Sequence, residues 1–245
     1  MGFDVTKPPP RWGMPDIVLA IVAFLVGSIL FAIPVVMATT SKGALNIASL
    51  VGSWVGVVAF LCLISRKKGQ RTLRDDFGFR VQWIDPVIGV VTGFAAVIIA
   101  GIVITLVANL FEAPPGSNGD EVFGDKSSAA IVVLTAIMAS IGAPIVEELL
   151  FRGLALRSID RRFGSAVGII ASSLLFGFLH WQGGTVGSTV SLVLGLSAVG
   201  ACFALVTRWT GRLGPSTFAH MTFNSIASIS QLTQYFSHGG WLLLR

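Results

Sequence analysis

The sequence predicts an all-α protein: a polytopic transmembrane helical bundle of about seven spans, with a kinked fourth helix and a core in the last four helices. Three observations predict it. Of 245 residues, 53% are hydrophobic and 12% charged, with a mean hydropathy of +0.82, so a soluble fold would leave apolar surface with nowhere to go. The apolar segments run to roughly 20 residues each, the length a helix needs to cross hydrocarbon, whereas barrel strands would be short and alternating. Most of the charges fall between those segments.

Residues 1–15 form an N-terminal segment, with Lys7, Pro8 to Pro10 and Arg11 ahead of the first apolar run. That run is long enough to span, and no cleavable signal peptide is evident. The opening MGFDVT formally fits a myristoylation pattern, although an anchor adds little to a multi-spanning protein. Segment one runs from about Asp16 to Val36 and segment two from about Ala44 to Ser65, with a short turn containing Lys42 between them. Arg66 to Trp83 follows as a loop or interfacial stretch, where Phe77, Phe79, Val81 and Trp83 alternate with small or polar residues, as in a strip lying at headgroup level. Asp85 and Pro86 read as cap and first-turn residue of segment three, which reaches about Leu110.

Residues 111–128 read as a polar loop with four acidic residues and one lysine. Accessory helices and loops thus occupy 16–128 and the core 129–236. Segment four begins near Ser128 and turns at Phe163 and Gly164 into segment five, about Gly164 to Trp181. Segment six runs from about Gly187 to Arg208 and segment seven from about Pro215 to Tyr235. The tail, 237–245, is too short to span. Cys62 and Cys202 lack metal-type spacing and read as small core residues.

The net charge of +5 would suggest nucleic acid in a soluble domain, but its placement points to a bilayer and excludes that partner. With seven spans, thirteen basic residues share the N-terminal side, among them Lys7, Arg11, the Arg66 to Arg80 cluster, Arg157, Arg161, Arg162, Arg208 and Arg212. The other side receives Lys42, Lys126 and Arg245 with the acidic loop. The positive-inside rule then predicts a cytoplasmic N-terminus; the expected location is a bacterial plasma membrane.

The stretch APIVEELLFRG, Ala143 to Gly153, sets charges where hydrocarbon should dominate. An ionisable group there marks a functional site by default. Glu148 and Arg152 are four residues apart with the acid first, the favourable order for a helical ion pair. Glu147, about 100° further round the helix, has no partner in the stretch and is the carboxylate left for chemistry. Pro144 removes the bond to the carbonyl of Ser140 and predicts a kink just before Glu147. Three further polar groups recur at such depth. His180 shares a helix face with Phe176, and His220 shares one with Asn224. A hairpin turning at Phe163 and Gly164 brings Glu147 and His180 to one level, each roughly 24 Å from the turn. Each group alone could be an interhelical hydrogen-bonding or packing residue; a free carboxylate, two histidines and an asparagine on three helices point to a catalytic or transport site.

These residues resemble the CAAX-processing and bacteriocin-processing (CPBP, or Abi) intramembrane protease family. The resemblance is carried by EExxxR as Glu147, Glu148 and Arg152, FxxxH as Phe176 and His180, and HxxxN as His220 and Asn224, over about Ala129 to Gln231. It implies peptide-bond hydrolysis in the membrane, on a peptide or protein substrate entering from the membrane or the cytoplasmic side. Glu147, assisted by His180, would activate water, and His220 with Asn224 would form the oxyanion hole. Glu148, Arg152 and Phe176 would support them from behind. No cofactor is needed in that mechanism. The alternative is zinc held by Glu147, His180 and His220, although there is no HExxH helix. Rival readings are a proton-coupled transporter, which the lack of an inverted repeat disfavours, and a non-enzymatic immunity or scaffold protein. Prenylated C-a-a-X proteins, leader peptides and transmembrane regulators all fit such a site.

Overall fold

The computed structural model describes residues 7–116 and 128–237. The opening MGFDVT, most of the acidic loop and all but the first residue of the tail therefore lie outside the described residues. The described chain contains no strand and eight helices: α1 Met14–Ala38, α2 Lys42–Lys68, α3 Leu73–Phe77, α4 Asp85–Leu110, α5 Ala129–Phe163, α6 Ser165–Phe178, α7 Val186–Thr210 and α8 Gly214–Ser237. Five of these, α1, α2, α4, α5 and α7, are long and apolar enough to cross a membrane. The expected fifth and seventh spans correspond to α6 and α8. The first has 14 residues, about 21 Å at helical rise, short of a hydrocarbon core of about 30 Å. The second carries a polar stripe that lowers its apolarity.

Small residues let α1 and α2 meet closely. A Cβ on Gly52 would strike the carbonyl oxygen of Gly27, and one on Gly56 that of Ala23. Without a hydrophobic driving force between helices in lipid, such close backbone approach is what drives them together. The chain then turns at Gly164, whose φ of 82° suits glycine, so that α6 folds back along α5.

The basic segments gather at one end of the bundle. Arg161 on α5 donates to the carbonyls of Pro10 at 3.2 Å and Trp12 at 2.5 Å, and its guanidinium lies 4.1 Å over the Trp12 ring. Trp12 Nε1 donates to Asp76 Oδ1 at 2.8 Å, and Asp76 also accepts from Ser65 Oγ at 2.6 Å and the backbone N–H of Gln70 at 2.9 Å. Because Asp76 is fully buried, the adjacent Phe77 is drawn inward with it. The expected strip is exposed only from Phe79 onward: Phe79, Val81 and Trp83 are exposed, whereas Phe77 packs against Trp12 and Gly153.

Asp85 does more than begin α4. Its carboxylate, 0% exposed, takes the Arg212 guanidinium in a fork, with Nη2 to Oδ1 at 2.6 Å and Nε to Oδ2 at 3.1 Å. This locks the start of α8 to the start of α4. Removing one member of a buried pair strands the other, at about 3–5 kcal/mol. We expect Asp85→Ala to lose about 3 kcal/mol, read as a lower melting temperature in detergent.

Candidate active site

Helix α5 is α-helical over Ala129–Ile137, widens to a π turn at Met138–Gly142, resumes over Ala143–Glu148, widens again at Leu149–Ala155, and ends as Leu156–Phe163. The expected irregularity at Pro144 therefore takes the form of a π turn directly before it. The Ala143 N–H bonds to Met138 O, five residues back. That leaves the Ala139 carbonyl without a ladder donor, since Ala143 is engaged and Pro144 has no N–H. Asn224 Nδ2 on α8 donates to this carbonyl at 2.8 Å. An unpaired carbonyl in an apolar interior is costly, so the side chain completes what the backbone cannot.

The second half of the site is the pair foreseen on α5. Arg152 Nη1 donates to Glu148 Oε1 at 2.9 Å, with the two side chains 1% and 0% exposed. The guanidinium sits 4.6 Å from the Phe176 ring centroid and 5.3 Å from that of Phe203, and Nη2 donates to Gly200 O at 3.1 Å. A buried ion pair is tolerable only when other contacts offset its desolvation; Arg152 Nε and Glu148 Oε2 make no hydrogen bond, so the aromatic surroundings of the cation carry more of that offset. Phe176 provides part of these surroundings; its ring also meets Phe151 edge-on at 5.1 Å and stands 4.7 Å from His180.

Both histidines are oriented by what their Nδ1 atoms bond. His180 Nδ1 lies 2.7 Å from Phe176 O, and a carbonyl only accepts, so Nδ1 carries the proton. His220 Nδ1 lies 3.1 Å from Glu148 Oε1, which is likewise an acceptor. Their Nε2 atoms point to one place. Glu147 Oε2 is 3.9 Å from His180 Nε2 and 3.7 Å from His220 Nε2, too far for a direct bond, and makes no hydrogen bond. The Glu147 and His180 side chains are each 24% exposed, while His220 is 3% exposed, stacked 5.0 Å from Phe203. An acceptor oxygen facing two imidazole nitrogens forms a niche that suits a molecule bringing its own O–H donors, such as water.

The structure thus brings Glu147, His180 and His220 together and places Glu148, Arg152 and Phe176 behind them. Asn224 stands one turn from His220 and has one N–H engaged by Ala139, leaving its second. Among the described residues, no three His, Cys, Asp or Glu side chains are arranged to hold a metal ion. Glu147, His180 and His220 are a donor set that zinc uses, with Glu147 Oε2 3.9 and 3.7 Å from the two imidazole nitrogens. Sequence reasoning missed Phe203, the Gly200 carbonyl and the Ala139 carbonyl, none of which carries a sequence signal. It also missed Ser140 and Ser228, whose hydroxyls bond at 3.0 Å. There a signal existed, because Ser228 lies one turn beyond Asn224 on the same face.

Residues 129–226 match the profile of the family described as "Type II CAAX prenyl endopeptidase Rce1-like", a range that contains Glu147, Glu148, Arg152, Phe176, His180, His220 and Asn224. The chain is 26% identical over 192 residues to the "Putative membrane peptidase YdiL" of Bacillus subtilis (strain 168), covering 78% of this chain and 73% of that protein. No solved structure matches.

Arg152→Met should leave Glu148 as a buried carboxylate without its counter-ion, held by His220 alone. We expect a loss of about 3–5 kcal/mol, measured as thermal unfolding in detergent.

Proposed function

We propose that this chain, a member of the CPBP family of membrane proteases through its core at residues 129–226, is an intramembrane endopeptidase in which Glu147 activates the hydrolytic water. The observation that carries the reading is the unbonded Glu147 Oε2 between two imidazole nitrogens, beside a Glu148 already committed to Arg152.

Water is a poor nucleophile until a base takes its proton. A water in the niche donates to Glu147 Oε2 and to His180 Nε2, and Glu147 takes its proton as the oxygen attacks the scissile carbonyl. His220, when it carries both protons, donates Nδ1–H to Glu148 and Nε2–H towards the developing oxyanion. The free N–H of Asn224 is the second donor. Such donors stabilise the tetrahedral intermediate because they are already oriented in a partly water-excluded site. Glu147 then returns the proton to the leaving amine. Substrates of this class are membrane-associated: prenylated, leader-type or membrane-spanning segments able to reach a carboxylate within the bundle. The basic end of the bundle faces the cytoplasm, which puts the N-terminus there.

The test is cleavage of a peptide and membrane-protein library by the purified protein, with Glu147→Ala alongside and zinc chelator added to each. Glu147→Ala should fold normally and lose roughly 10²- to 10⁴-fold in rate, with the chelator inert. Chelator-dependent loss restored by zinc would transfer Glu147, His180 and His220 to a metal, and unchanged cleavage by Glu147→Ala would overturn the mechanism. Asn224→Ala should lower kcat by about 10²-fold.

A further inference from the structure

We propose that Ser140 and Ser228 are positioning residues that hold the π turn of α5 in register, so that Glu147 points into the niche; the proposal rests on the role given to Glu147 above. Three observations carry it. Ser140 lies inside the π turn Met138–Gly142 and Ser228 lies on α8, and their Oγ atoms bond at 3.0 Å although each residue is buried. The neighbouring Asn224 to Ala139 bond, one turn earlier on α8 and one residue earlier on α5, runs in the same register. The two bonds therefore act as a two-rung ladder between α8 and a stretch of α5 whose own ladder is interrupted.

A π turn contains one residue more than the α-helical turn it replaces. If it relaxed by one position, everything beyond it would rotate by about 100° and shift by about 1.5 Å. Glu147 begins only five residues after Gly142, with a single α-helical stretch, Ala143–Glu148, between. Such a rotation would turn Glu147 away from His180 and His220. On the other side of the turn, Gly142 lies against the Trp54 ring of α2, so the turn has packing on one flank and the hydroxyl ladder on the other. Trp54 presents only apolar ring atoms there and does not fix the register; the Ser140–Ser228 bond does.

The effect is read in two ways. In a background with Cys62→Ala and Cys202→Ala, Glu147→Cys and His180→Cys are joined by a one-carbon bismethanethiosulfonate and the linked peptide is measured by mass spectrometry. This readout does not need protease activity. Ser140→Ala and Ser228→Ala should each lower the yield about fivefold or more, Ser228→Thr should retain it, and the double alanine variant should be no worse than either single one. In the protease assay with the library peptide that the wild type cleaves, Ser228→Ala should lower kcat about tenfold with KM unchanged, and Ser228→Thr should restore it, because small misplacements of a reacting group cost rate rather than binding. Unchanged cross-linking in both alanine variants would overturn the proposal, as would an equal loss in Ser228→Thr. A raised KM at constant kcat would do the same. Cross-linking that follows the expected pattern in a protein that cleaves nothing would uphold the ladder and reject the protease role of Glu147.

Discussion

The salt bridge between Glu148 and Arg152 is the interaction on which the rest of this structure depends. Taking two ions out of water costs several kcal/mol each after relaxation, and here that cost is offset only because every neighbour contributes. Arg152 finds a carboxylate, the Gly200 carbonyl and the faces of Phe176 and Phe203. Glu148 Oε1 accepts from Arg152 and from His220 together. The pair therefore joins α5, α7 and α8 at one depth. It also divides labour between adjacent acids: with Glu148 neutralised in the protein, Glu147 stands free of the pair and faces the niche.

The second constraint is backbone polarity in an apolar setting. Helix α5 departs from regular geometry twice around the site, and non-helical backbone at membrane depth persists only where its freed groups find other partners. Asn224 supplies the partner of the Ala139 carbonyl from α8, and the Ser140–Ser228 hydroxyl bond ties the same turn to that helix. Stripping α8 of polar residues would make it a better membrane span and would leave the π turn unsupported. Its modest apolarity follows from this role.

Much of the site was legible because helical spacing is rigid. Glu148 and Arg152 at i and i+4, the odd placing of Glu147 beside them and, once the chain turns at Gly164, the common level of Glu147 and His180 all follow from helix geometry. Pro144 announced an irregularity, but not that it would be a π turn, because the insertion is decided by which side chains on α8 can reach the freed carbonyl. The polar contacts at the basic end were hidden for a similar reason. Nothing local in the sequence tells that Asp76 turns inward to Trp12 or that Asp85 waits for Arg212, 127 positions away. Phe77 followed Asp76 inside, against an alternation that is a sound guide only when both faces of a strip are free to choose. The match to the type II CAAX prenyl endopeptidase family covers the same 129–226 segment in which the spacing was informative.

The most direct measurement of this division of labour compares Glu147→Gln with Glu148→Gln, each reconstituted in lipid vesicles, for melting temperature and for cleavage of the peptide the wild type cuts. The account requires Glu147→Gln to keep the wild-type melting temperature while cleavage is lost, and Glu148→Gln to unfold at a clearly lower temperature because Arg152 loses its counter-ion. A Glu147→Gln protein that still cleaves at the wild-type rate, or a Glu148→Gln protein as stable as the wild type, would contradict it.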